Sequence, residues 1–166
     1  TDYRPVYFGN SNITTGGTIR VSHTSSTGSS SVVFSDNTIP IEVRSNSFWT
    51  IATGNSLNTA NNFSLRTEGT GFGTVGSVSD LRLTQVGSAA FGTPGTNAGS
   101  LTNPQVNRTA IPIANVSNNY YWGSINATNT PLPIDLIFFA AKLKSQVVEL
   151  KWATASEKNN DFFNVP

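Results

Sequence analysis

The chain reads as an all-β protein: an antiparallel β-sandwich followed by extra strands of a second, partial module. Three observations predict this. Short apolar runs alternate with period two and are broken by Gly, Pro, Asn and Ser at fairly regular intervals. No amphipathic stretch of useful helical length occurs anywhere. Finally, hydrophobic residues make up 37% and charged residues only 11% of the 166 residues. Polarity therefore falls to Ser, Thr and Asn, roughly a third of the chain, which suits outward strand faces and turns.

In chain order, Val6, Tyr7 and Phe8 follow Pro5, which removes a ladder donor and marks an edge strand or a docking arm. Ile19 and Val21 alternate with Thr18, Arg20 and Ser22 as in a half-buried strand. Residues 31–35 form a short strand ended by Asp36-Asn37. Ile39, Ile41 and Val43 then share a face, and after a turn at Ser45-Asn46 a second strand carries adjacent Phe48 and Trp49. Adjacent strand residues point to opposite faces, so one of these two aromatics faces outward. Phe63 with Leu65, and Leu81 with Leu83, mark two further strands separated by a Gly-rich connector. Residues 87–108 read as a long loop, either functional or packed by its own Phe91. Ile111 and Ile113, then Asn119 to Asn126, look like a strand pair turning near Ser117 to Asn119. Residues 128–133 are a proline-punctuated linker, so one domain spans 1–130 and a second element 131–166.

Composition excludes several functions. A net charge of +1 with scattered Lys and Arg offers no stripe for phosphates, so no nucleic-acid partner is expected. No apolar run is long enough for a membrane span. The chain begins at Thr1 without a leader, as a processed mature protein would. It holds no cysteine, hence neither disulfides nor thiolate metal sites.

The chemistry-bearing residues do not assemble a catalytic set. His23 is the only histidine, and its hydroxyl-rich surroundings, with nothing placing Asp36 behind it, are not a triad. Glu42 and Asp80 are a conceivable carboxylate pair but carry no motif. Glu157 to Asp161 reads as a polar turn before it reads as a calcium loop. The Gly-rich stretches 69–76 and 92–99 lack the Lys-Ser/Thr of a phosphate loop. Five Asn-x-Ser/Thr sequons, at Asn12, Asn62, Asn107, Asn115 and Asn126, are what chance produces in so Asn- and Thr-rich a chain. Trp49, Tyr121 and Trp122 are candidates for a glycan-stacking platform. Alternation nevertheless puts Tyr120 and Trp122 on one face and Tyr121 on the other, and one face must be core.

One stretch carries a resemblance. Leu132-Pro133-Ile134, Leu136, Phe138-Phe139-Ala140, Val148 to Trp152, Thr154 to Glu157 and Asn159 to Val165 resemble the opening of a fibronectin type III-like module. Such modules are common in secreted proteins of the Bacteroidota, often just upstream of a type IX secretion sorting domain. The resemblance covers residues 132–165 and implies a fibronectin/Ig-like partial module in an extracellular or cell-surface protein, with Trp152 in its core. It implies no catalysis and no cofactor. In that family the strand after Asn160 continues into several more, whereas this chain stops at Pro166.

A fragment of a sandwich leaves apolar positions uncovered, at about 1.5–3 kcal/mol per large side chain. The chain is therefore either a cut module or a strand donor. The expectation is a non-enzymatic structural or adhesive protein, a homo-oligomer or filament joined by strand pairing. Its expected interface is Val6, Tyr7, Phe8, Ile134, Leu136, Phe138, Phe139, Val148, Leu150 and Trp152. The alternative is a carbohydrate-binding module of a larger secreted protein, with surface glycans as partners.

Overall fold

The computed structural model describes residues 3–10, 12–72, 75–132, 136–144 and 147–154, the last two as strand path and register. The chain divides into two compact units, Thr1–Pro133 and Ile134–Pro166.

The first unit begins with β1 (Val6–Gly9), β2 (Ile13–Thr15), β3 (Thr18–Thr24), β4 (Ser29–Asp36) and the long β5 (Ile39–Gly54). There follow β6 (Asn58–Thr59), β7 (Phe63–Glu68), β8 (Leu81–Gln85), β9 (Ser88–Ala89), β10 (Thr93–Pro94), β11 (Ala98–Gly99), β12 (Pro104–Ile111) and β13 (Asn118–Ser124). One antiparallel sheet runs β1-β7-β12-β10, with β11 also on β12. A second runs β3-β5-β13-β8-β9, with β4 sharing the β3 side of β5. Strands β2 and β6 make a small ribbon of their own.

The two sheets meet through their alternate inward positions. Trp49, Ile51, Leu81, Leu83, Tyr120 and Trp122 of the second sheet join Phe63, Leu65, Val106 and Ile111 of the first in one buried cluster. Phe72, from the connector, closes on it, with its ring 4.2 Å from Trp122 and 5.8 Å from Trp49. The expected all-β sandwich is present, and the alternation read for residues 41–43, 63–65 and 81–83 is the alternation observed, whereas Val21 and Ile39, read on the inward faces of 18–22 and 39–43, are each 42% exposed.

Strand β5 departs from expectation. Ser45-Asn46 is no turn: the strand continues for 16 residues. Tyr121 lies opposite Phe48 but Gly123 lies opposite Arg44, so β5 carries a bulge at Ser45 to Ser47. The polar residues there satisfy the interrupted ladder. Ser45 Oγ donates to Ser47 O (2.9 Å), Ser47 Oγ to Ser26 O (2.6 Å) and Asn46 Nδ2 to Thr27 O (2.9 Å). The bulge splits β5 into two arms, pairing with β4 before it and β3 after it. The β4 side also lies against β9. Ile41, fully buried on the first arm, packs toward Gly123; a Cβ there would stand 2.8 Å from Thr84 Cγ2 and 3.0 Å from Ile41 Cγ2.

Three further stretches differ from expectation. Residues 87–108 are not one loop: they end in strand β12, which pairs with β7 on one side and with β10 and β11 on the other. Ile113 belongs not to a strand but to a short 3-10 turn, Ile113–Asn115. Pro112, which cannot donate to a ladder, stands between the two. Within the stretch read as a linker, Thr130 and Leu132 are buried in the first unit, Thr130 donating its hydroxyl to Asp80 Oδ2 at 2.9 Å.

The second unit contains an antiparallel hairpin, β14 (Leu136–Lys144) and β15 (Val147–Thr154). Its register sets Phe139 opposite Trp152, Ala141 opposite Leu150 and Leu143 opposite Val148. Between Leu136 and Phe138 one extra residue interrupts the pairing. Residues 134–143 and 147–154 were read as extended rather than helical, and the described part of both is strand.

Candidate functional site: sheet edges and a buried ion pair

The aromatic trio singled out for glycan stacking is not a surface platform. Trp49 and Trp122 are 0% exposed, their rings 5.4 Å apart at the centre of the sandwich. Trp49 Nε1 donates to Arg4 O (3.1 Å) and Trp122 Nε1 to Thr67 Oγ1 (2.7 Å), so both indoles are satisfied inside. Tyr121 lies on the opposite face of β13 beside Phe48, with the Arg44 guanidinium 4.1 Å over its ring. Three aromatics divided between two faces, two of them core, cannot form one stacking surface.

The dispersed acids and the histidine also have structural roles. His23 is half-buried, edge-on to Trp49 at 5.0 Å, with Nδ1 3.4 Å from Ser25 Oγ. Glu42 accepts from Ala127 N (2.7 Å), while Asp80 accepts from Asn129 Nδ2 (3.1 Å) and Thr130 Oγ1. The two carboxylates considered as a pair thus both fasten the segment that leaves β13. Glu68 is held by Arg66 at 2.8 Å. No group of three or more metal-ligating side chains occurs among the described residues. The run Glu157 to Asp161 lies outside them.

Sequence reasoning missed one polar constellation. Arg108, on β12, points inward at 2% exposure and pairs with Asp36, itself 1% exposed, at 2.6 Å. Three more of its five N–H donors reach the carbonyls of Ala90, Phe91 and Gly92, so four of the five have an oxygen. Asp36 is the last residue of β4, next to the turn in which Asn37 and Thr38 take positive φ of 48° and 71°. The pair and residues 88–94 line a cavity of about 420 Å³ beside half-exposed Phe91. With four guanidinium donors committed within the chain, the pair is a fastener between the two sheets rather than an anion receptor. The one legible signal was an unexplained Arg two residues from Val106 in an otherwise alternating stretch.

Buried Tyr120 ties β13 to the short 3-10 turn that precedes it. Its hydroxyl donates to the carbonyls of Asn115 (3.0 Å) and Val116 (3.1 Å), and burial pushes its pKa up to about 12.

What remains for recognition is the sheet edges. Strand β1 is an edge paired to β7 within the chain, so Val6, Tyr7 and Phe8 are part of the first sheet. Val6 and Phe8 pack on the core; Tyr7 is turned outward under the Arg66 guanidinium, 4.0 Å from its ring. A hydrogen bond with Tyr7 raises the pKa of Tyr3 above the ordinary tyrosine value. Strand β1 is short and preceded by proline; β4 has a register shift at Val33, which is fully exposed. Strands β9, β10 and β11 are two residues each. These are the usual means of blunting an edge. Strand β3 has none of them: seven residues pair with β5 without a shift and without proline, and no other strand joins it among the described residues.

Of the C-terminal interface set, Leu136, Phe138, Phe139, Val148, Leu150 and Trp152 are positions of the β14–β15 hairpin, and Ile134 lies outside the described residues. Compared with protein-family models, with curated proteins and with solved structures, the chain matches none. The fold therefore stands as an antiparallel β-sandwich unit followed by a hairpin unit, defined by its own geometry.

Proposed function

We propose that this chain is an extracellular structural or adhesive protein that assembles with copies of itself by β-strand addition. The observation that carries the reading is the register of the β14–β15 hairpin. It sets Phe139, Ala141 and Leu143 against Trp152, Leu150 and Val148 as one alternate set. A two-stranded ribbon is marginal in water by itself, and such a set calls for a further strand or sheet against it. Added strands supply both the missing ladder and apolar cover. The working principle is shape and pairing, with no reaction assigned; Asp36, Glu42, Glu68 and Asp80 all serve structural contacts. An exterior location is supported by the cysteine-free, hydroxyl-rich composition and by the resemblance of residues 132–165 to secreted fibronectin-like modules.

Light scattering across a concentration series, with negative-stain microscopy, tests this on the full chain. The mass is expected to rise with concentration and fibres to form. Leu150→Asp places a charge within the apolar set and is expected to remain monomeric with an unchanged β-type circular dichroism spectrum. A wild-type chain that stays monomeric at every concentration overturns the reading.

A further inference from the structure

We infer that β15 of a second copy of this chain adds to the exposed edge of β3, antiparallel, with Glu149 opposite Arg20. The inference rests on the strand-addition reading and names the two segments that meet. The acceptor follows from the edges: every other edge of the first unit is short, proline-led, bulged or two residues long, whereas β3 offers an uninterrupted stretch at Thr18 to Ser22. Its alternate residues Ile19 and Val21 lie on the core side, yet Val21 remains 42% exposed. The layer is unfinished at this edge.

Charge selects the donor. Arg20 is exposed and makes no ion pair among the described residues. Strand β14 brings Lys142 and Lys144 and no acid; β15 brings Glu149, between Val148 and Leu150. Setting Glu149 against Arg20 in an antiparallel ladder puts Val148 opposite Val21 and Leu150 opposite Ile19. A slip of one residue sets the apolar positions against polar ones, and a slip of two removes the charge pair or faces Arg20 with Lys151. Antiparallel pairing is the form taken by every strand pair among the described residues. Because β3 and β15 are different segments, the contact is head to tail, and unless it closes into a ring it propagates as a filament.

The absence of native cysteine makes the test direct. In a full chain bearing Val21→Cys and Val148→Cys, directly opposed positions lie within disulfide reach. Mild oxidation is expected to give a ladder of dimers and longer species on a non-reducing gel. The offset pair Val21→Cys with Lys151→Cys is expected to give none. Independently, Arg20→Glu is expected to weaken association by about three- to tenfold, and adding Glu149→Arg to restore it to within about twofold. Assembly that continues without the ladder and is indifferent to Arg20→Glu overturns the β3–β15 assignment while leaving strand addition intact. A disulfide closed within single chains overturns it as well. A chain that never assembles removes both.

Discussion

Arg108 and Asp36 hold the two sheets together at one end of the first unit. Four of the five guanidinium N–H donors have an oxygen, three of these being backbone carbonyls of residues 90–92. Removing one partner of such a buried pair strands the other. Arg108→Ala is accordingly expected to cost about 3–5 kcal/mol in urea unfolding, while replacing Asp36 and Arg108 together by Leu and Met recovers the part owed to the stranded carboxylate but not the part owed to the carbonyls of residues 90–92. Tyr120 gives a pH signature. Its phenol is neutral in the fold with a pKa of about 12, against about 10 for an unfolded tyrosine. The folded state therefore holds this proton more tightly, so its contribution is intact below pH 10 and is lost as pH rises from about 10 toward 12. Tyr120→Phe is expected to remove that part of the alkaline loss. It should cost about 1–2 kcal/mol at neutral pH, because the Asn115 and Val116 carbonyls lose their donor. Unfolding curves recorded at pH 7 and pH 11 for both proteins check the sign.

Among the elements, β5 is the strand around which the second sheet is built, and its bulge is what lets one strand serve two neighbours on one side. Gly123 on β13 is the complementary feature, since Ile41 and Thr84 occupy the space a side chain would need. Gly123→Val is expected to destabilise by about 1–3 kcal/mol, read as a lowered denaturant midpoint, and Gly123→Ala by less. These elements also show where sequence reading works and where it stops. Strands whose inward residues are apolar, such as Ile41 to Val43 or Leu81 to Leu83, were legible by alternation alone. Strand β12 was not, because one of its central inward positions is Arg108, and an inward arginine makes sense only beside the Asp36 that the fold brings to it. The Ser45-Asn46 pair reads equally as turn or bulge; the choice falls to distant groups, the carbonyls of Ser26 and Thr27. Trp49 and Trp122 could be given a face by alternation, but not the knowledge that both faces in question meet inside.

For the whole molecule, the sandwich unit has its own core, satisfied indoles and fastened chain exit, and the hairpin unit carries an apolar set in register. That contrast underlies the proposal of assembly. The composition pointed to the fold class and to the alternating C-terminal strands, because both are local patterns. Pro5 marked β1 as an edge in the sequence, but that β3 is an uninterrupted edge came only from topology. Amide hydrogen exchange of the full chain, followed residue by residue over a range of protein concentrations, tests strand addition most directly. The account predicts that the amides of residues 147–154 and 18–22 gain protection together as concentration rises, while those of the core strands β7, β8 and β13 do not change. Protection of the hairpin that is already complete in dilute solution and independent of concentration would contradict it.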